Sequence, residues 1–232
     1  VGAMNFMDMS DATPVTFRAR KIAVRNEGRT MYTRFGKRAL DLTLAIAMLP
    51  LLLPVITVLW LLTRRDGGPG FFGHRRVGRN GKSFRCWKIR TMVVDAEAKL
   101  QQHLADNPEA AAEWARDHKL TNDPRITRIG NFLRRTSLDE LPQIWNVLKG
   151  EMSFVGPRPV TRVEMKKYGF YRTAYLSMRP GITGLWQVSG RNDVSYDERV
   201  RMDVQYLSDA SLANDLKLIL GTGMAVLGST GR

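Results

Sequence analysis

The chain has 232 residues, 36 of them Lys or Arg against 22 Asp or Glu, which leaves a formal charge of +14. Its one cysteine, Cys86, excludes an intrachain disulfide, in keeping with a reducing compartment. The basic excess points to an anionic partner (nucleic acid, phospholipid or a phosphorylated substrate), and the length allows one sizeable domain or a smaller one with an anchor.

Residues 1–31 are polar and basic with little apolar period. They predict a flexible or surface-lying arm. Arg18, Arg20, Lys21, Arg25 and Arg29 would each gain about 1 kcal/mol near an anionic leaflet, a solvated tail being the alternative. Val1-Gly2-Ala3, ahead of Met4, is set aside, and no short apolar run with a small-residue cleavage site marks a secretory leader.

The next element, 32–66, holds the run LTLAIAMLPLLLPVITVLWLL from Leu42 to Leu62, without a charged residue. A straight helix of that length would be roughly 30 Å long, enough to cross a hydrocarbon core. Pro50 and Pro54 stand near its middle, where each removes a helix hydrogen bond and bends the axis. Both flanks are basic: Arg34, Lys37 and Arg38 before, Arg64, Arg65, Arg75, Arg76 and Arg79 after. Positive charge marks the cytoplasmic side. Cations at both ends therefore predict a helix that enters, turns at the prolines and returns to the same face. A single crossing and a buried core helix are the alternatives.

Gly67-Gly68-Pro69-Gly70 marks a turn. Two short strands follow, joined through Arg79-Asn80-Gly81-Lys82, the second running from Ser83 to Ile89. Met92 to Leu120 reads as one or two helices interrupted at Asn107-Pro108, with Asn107 as cap and Pro108 in the first turn. Ile126, Ile129 and Leu133 fit a short helix. Leu141, Ile144, Trp145 and Leu148 predict an amphipathic helix ending at Gly150, and Leu212 to Leu227 a final helix, packed or lying on a membrane surface.

The polar clusters carry the chemistry. Arg134-Arg135-Thr136-Ser137-Leu138-Asp139-Glu140-Leu141-Pro142-Gln143 sets two carboxylates after two arginines, a pattern suited to a phosphate: cations to hold it, acids to attack it or to bind a metal beside it. Ser137-x-x-Glu140 also reads as a capping box, which needs no catalysis, while Pro142 favours Asp139 as the cap. At a helix start, free amides and Arg134 or Arg135 would depress the Asp139 pKa. Arg158 is mounted between Pro157 and Pro159; Lys88 and Arg90 would share one strand face; Arg179-Pro180-Gly181-Ile182-Thr183-Gly184 and Ser189-Gly190-Arg191-Asn192-Asp193 are loops that would let amides approach a nucleotide. For each, a rigid turn or solvated face is the plain alternative. His74, His103 and His118 show no metal-ligand spacing with Cys86, and no Walker-type loop appears.

These motifs, in this order, resemble the bacterial sugar transferases that make polyprenyl-phosphate-linked sugars, the monotopic phosphoglycosyl transferases. The resemblance runs from about Tyr32 to the C-terminus. It rests on Lys37-Arg38-x-x-Asp41, Arg76-Val77-Gly78-Arg79-Asn80-Gly81, Lys88-x-Arg90-Thr91-Met92, the Asp139-Glu140 segment, Met152 to Pro159, and Arg179 to Asn192. The nearest likeness is to the exopolysaccharide-priming galactosyl-phosphate transferases. It implies a ping-pong transfer of a sugar-1-phosphate, galactose before glucose, from a UDP-sugar to undecaprenyl phosphate. Asp139 would be the nucleophile, UMP the leaving group, and Glu140, beside Asp139, the Mg²⁺ ligand. Arg158, Lys88, Arg90, Arg134 and Arg135 would hold phosphates, with Thr183, Gly184 and Arg191 also at the substrate.

The predicted fold is α/β, mostly helical with a small β-hairpin. By resemblance it is a monotopic membrane protein with a re-entrant helix bent at Pro54 and Pro50, and with amphipathic surface helices. The divisions are an arm (1–31), the re-entrant helix (32–66) and a catalytic domain (67–232) on the cytoplasmic face of the bacterial inner membrane. Partners would be the two substrates and anionic inner-leaflet lipids, with self-association open and no nucleic acid. Leu53 stands where the family often has Ser before the bend proline. A basic lipid- or nucleic-acid-binding module and an inert assembly scaffold are the competing readings.

Overall fold

The apolar run folds as one helix, α1 (Lys37–Thr63), after a wide turn at Tyr32–Gly36, in a computed structural model that describes residues 30–189 and 194–227. The basic arm therefore lies outside the described residues, except for its last two. Helix and flanks, Tyr32–Asp66, are long and apolar enough to cross a membrane. The assignment stays helical through Pro50 and Pro54. The prolines deprive the Ile46 and Pro50 carbonyls of their usual donors. One turn further on, the Thr57 hydroxyl donates to the Leu53 carbonyl at 2.8 Å, a back-bond of the kind that favours curvature.

Both ends of α1 are tied to the folded domain, while Ile46, Leu51, Leu53, Val58 and Leu61 stay exposed along it. Near its start Arg38 donates to the carbonyls of Val147 (2.6 Å) and Leu148 (3.0 Å). There too a buried Asp41 oxygen accepts from the Ser153 hydroxyl (2.9 Å) and the Phe154 amide (3.0 Å). At the far end Arg90 donates to the Thr63 carbonyl at 3.1 Å, and the Trp60 ring lies 6.3 Å from Phe71. Gly70 permits that approach, since a side chain there would run into Trp60.

The predicted hairpin forms: β1 (Phe71–Val77) pairs antiparallel with β2 (Ser83–Ile89), and Asn80 and Gly81 turn the chain with φ of 57° and 76°. Two helices follow, α2 (Ala96–Asp106) and α3 (Pro108–Asp117), split where the sequence predicts, with Pro108 in the first turn. Asn107 does not cap α3; its side-chain amide donates back to the His103 carbonyl. Then come α4 (Arg128–Thr136) and α5 (Gln143–Lys149), the latter ended by Gly150 at φ 77°. Of the predicted stripe Ile144 is buried and Leu141 and Leu148 pack against the core, whereas Trp145 is exposed and Gln143, Asn146 and Val147 complete the buried face of α5.

A two-stranded parallel pair, β3 (Ser153–Val155) with β4 (Gly181–Thr183), is not evident from the sequence because each strand is only three residues long. Four further helices follow β3 and flank β4: α6 (Arg172–Ser177), α7 (Leu185–Ser189), α8 (Tyr196–Asp209) and α9 (Leu212–Leu227). One apolar core gathers Ala45 and Leu59 of α1 with Phe84, Ile89, Leu133, Ile144, Val147, Val155 and Leu218. A second, of Val77, Val160, Met165, Tyr168, Tyr175 and Val200, supports the segment after β3. The fully buried Asn146 joins α5 to the open edge of β2: its amide nitrogen donates to the Arg85 carbonyl (2.7 Å) and its oxygen accepts from the Trp87 amide (3.1 Å). That suture fixes Lys88, on β2, against the residues just before α5.

Candidate active site

The two carboxylates do not head a helix. Ser137 ends α4 at φ 58°, Leu138–Glu140 makes one tight turn, and α5 begins only after Pro142. Neither the Ser137 nor the Asp139 side chain caps it. Both capping alternatives therefore give way, because the left-handed Ser137 turns the chain before the helix can start.

The turn sets Asp139 and Glu140 against β2. Lys88 donates to a Glu140 carboxylate oxygen at 2.6 Å and lies 3.4 Å from one of Asp139. Asp139 is only 7 % exposed, whereas Glu140 is half-buried. Burial raises the Asp139 pKa above the ordinary carboxylate range, Lys88 opposes the rise and Glu140 adds to it. This corrects the expectation of a depressed pKa, since the desolvation of a turn facing β2 outweighs the cations. Burial pulls the Lys88 pKa down, but Glu140 and then Asp139 outweigh it and hold the ammonium above its usual value.

Arg134 approaches because α4 lies hard against the chain leaving β2. Gly130 faces the Thr91 carbonyl, where any side chain would collide. The Arg134 Nε–H donates to the Thr91 hydroxyl at 2.9 Å, and its charge is felt by Asp139. Arg158 follows β3 as an exposed residue between a fully buried Pro157 and a half-buried Pro159, with its guanidinium 5.8 Å from the Trp186 ring centre and Arg199 4.6 Å from the same ring. Glu164 holds this segment in place: it accepts from Arg76 (3.0 Å) and from the Thr161 amide (2.7 Å). Val160 bridges backbone-to-backbone to Val77.

Other candidates stand elsewhere. Arg90 does not share Lys88's surroundings. It is buried past the end of β2, and its guanidinium donates to the carbonyls of Pro69 (2.6 Å), Met92 (2.6 Å) and Thr63 (3.1 Å) and to Asp66. These four hydrogen bonds serve the fold and set Arg90 apart from Lys88. Thr183 is buried and shares a hydroxyl–hydroxyl bond of 2.6 Å with Thr222 of α9. The Gly184 carbonyl accepts from the amides of Gln187 and Val188, and its missing side chain admits the Gly156 carbonyl. Arg135 is exposed, and Arg191 lies outside the described residues. Reading alone missed Asn146, Arg76 and Glu164; the hairpin register, once fixed by Asn80-Gly81, would have placed Arg76 on Lys88's face.

No group of three or more His, Cys, Asp or Glu among the described residues is placed to hold a metal ion. The Asp139-Glu140 pair still fits Mg²⁺, which commonly takes one or two carboxylates and completes its shell with water and substrate phosphate. An ammonium beside two carboxylates, with guanidinia near, is an arrangement for holding a phosphorus centre against a carboxylate oxygen.

The family profile for bacterial sugar transferases matches residues 32–229. The chain belongs to that family. This bacterial sugar transferase is 52% identical over 195 residues to the UDP-galactose-lipid carrier transferase of Erwinia amylovora, covering 84% of this chain and 41% of the relative. It is 48% identical over 206 residues to the undecaprenyl-phosphate galactose phosphotransferase of Salmonella typhimurium, covering 89% and 43%. The chain thus spans about two fifths of the length of these two relatives. The exopolysaccharide production protein ExoY of Rhizobium meliloti is 48% identical over 197 residues, with 84% of this chain and 87% of the relative covered. The UDP-glucose:undecaprenyl-phosphate glucose-1-phosphate transferase of Escherichia coli is 37% identical over 198 residues, covering 82% and 39%.

Proposed function

We propose that the chain transfers a hexose-1-phosphate from a UDP-sugar to undecaprenyl phosphate and so primes exopolysaccharide assembly. UDP-galactose is the first donor and UDP-glucose the second reading, in line with the higher identity to relatives named for galactose. The observation that carries the reading is Lys88 reaching both carboxylates of the Asp139-Glu140 turn, with Asp139 buried.

The ionised Asp139 attacks the sugar-bearing phosphorus. An oxygen–phosphorus bond forms, the bond to the UMP oxygen breaks, and UMP leaves with the electron pair. A phosphate oxygen of the lipid then attacks the same phosphorus and displaces the Asp139 carboxylate. Lys88, Arg134 and Arg158 steady the phosphate oxygens. Glu140, beside Asp139, would hold Mg²⁺, which when bound offsets phosphate charge. The two-step route spares the soluble and the lipid substrate from meeting in one complex.

Both ends of α1 are tied to the one domain, its middle is exposed and apolar, and its flanks are basic. These features support a re-entrant helix bent near Pro50 and Pro54, with the domain on the cytoplasmic face of the inner membrane beside anionic lipids. A screen of UMP release over UDP-sugars, with undecaprenyl phosphate and Mg²⁺, tests the reaction. Release that requires Asp139 and yields a lipid-linked sugar is expected. Turnover retained by purified Asp139→Asn would remove Asp139 as nucleophile.

A further inference from the structure

The hairpin register places Phe72 opposite Lys88, His74 opposite Cys86 and Arg76 opposite Phe84. Directly opposed residues share a sheet face, so Phe72, His74 and Arg76 stand on the face that carries Lys88 to the carboxylates. Arg76 is committed to Glu164. Phe72 and His74 have no such engagement: both are exposed, Phe72 by 51%, and their rings stack on one another at 6.2 Å and 21°. Two exposed, mutually stacked rings beside a lysine that touches both acids present a flat surface to a ligand.

The strand also has a direction. Its first residue, Phe71, packs near Trp60, and Arg90, just after β2, binds the Thr63 carbonyl; both contacts are with the C-terminal end of α1. From there β1 advances at about 3.3 Å per residue, so His74 lies roughly 7 Å further along the strand from that end of α1 than Phe72 does. Lys88 thus has an apolar ring directly across from it and an imidazole two residues further from that end of α1. Partial desolvation on the exposed strand, then the charge of Arg76, holds the imidazole pKa below its usual value. A neutral imidazole offers one donor and one acceptor, which suits hydroxyl groups.

We propose that Phe72 and His74 divide the two substrates, Phe72 covering the first isoprene units of the lipid phosphate and His74 binding a hydroxyl of the nucleotide sugar. The division rests on the transfer reading above and adds the residues that separate its two substrates. Sequence alone hides it, because Phe72-Gly73-His74 reads as mixed aromatic and polar until the register puts both rings beside Lys88.

The test measures affinities for UDP-galactose and for undecaprenyl phosphate separately. It uses the full chain in phosphatidylcholine nanodiscs and an Asp139→Asn background that needs no turnover. Phe72→Ala should weaken lipid-phosphate binding about tenfold and leave UDP-galactose unchanged, with Phe72→Leu largely restoring it. His74→Ala should do the reverse by a similar factor of about ten, with His74→Gln intermediate. Affinities that move together in either variant, or that stay put in both, would overturn the division. Failure of the transfer reading shows separately, as wild-type protein that releases no UMP.

Discussion

The Lys88 ammonium stands 2.6 Å from a Glu140 oxygen and 3.4 Å from one of Asp139, so it leans on the more open acid and leaves the buried one less engaged. Lys88→Met should therefore do two things. Removing a cation from the phosphate site should lower turnover by about 10²–10³-fold. With its countercharge gone, Asp139 keeps burial and the repulsion of Glu140, both of which raise its pKa. On the proposed mechanism its carboxylate form is the active one, so activity should rise with pH through that pKa. The acid limb of the kcat/KM profile should already lie above the ordinary value of about 3.9 in the wild type, and should move further up in Lys88→Met.

Asp203 gives a pH dependence of stability rather than of activity. Burial pushes its pKa up to about 7, against the hydrogen bond that Tyr168 donates at 2.7 Å. The folded state therefore keeps a proton that an unfolded chain gives up near about 3.9. This contribution is fully present below the unfolded value and is lost as pH rises through about 7. Melting curves should show Tm falling between about pH 4 and about pH 7 and levelling above, and Asp203→Asn, which can still accept from Tyr168, should flatten the trend.

Arg90 and Arg158 should separate cleanly. Arg90→Ala strips donors from the carbonyls of Thr63, Pro69 and Met92 and from Asp66, a loss of about 3–5 kcal/mol for a broken buried charge network. It should lower Tm sharply, and Arg90→Lys should restore little, because a lysine lacks the guanidinium fork. Arg158→Ala, at an exposed position, should leave Tm nearly unchanged and lower kcat/KM. Thermal melts beside kinetics distinguish the two outcomes.

For the membrane helix, single cysteines at positions 34 and 65 should both react with a membrane-impermeant maleimide from the cytoplasmic side. Labelling from opposite sides would mean a spanning helix. The native Cys86 should stay silent in folded protein, since burial pushes its thiol pKa up to about 11.

Much of the fold was legible because it is encoded locally. Asn80-Gly81 needs left-handed backbone, and that alone fixed the hairpin and the limits of β2. Gly150 and Pro108 end and start helices for similar reasons. The Asp139-Glu140 cluster was found by its charge pattern, whereas its conformation was not, since Ser137 in a left-handed turn depends on how α4 meets β2.

By itself the sequence determined an apolar run with two prolines between basic flanks, the hairpin, and charge clusters of a kind that suits a phosphate, because composition and short-range backbone preference suffice for these. Only the tertiary structure decided where each cation lies. Lys88 and Arg90 are two residues apart, yet one reaches the acids and the other binds the end of α1. The difference arises because β2 ends at Ile89 and the Asn146 suture sets its position against α5. Contacts between residues 50 or more positions apart, such as Lys88 with Asp139 and Asp41 with Ser153, come from packing distant segments around one apolar core, and no local pattern carries them.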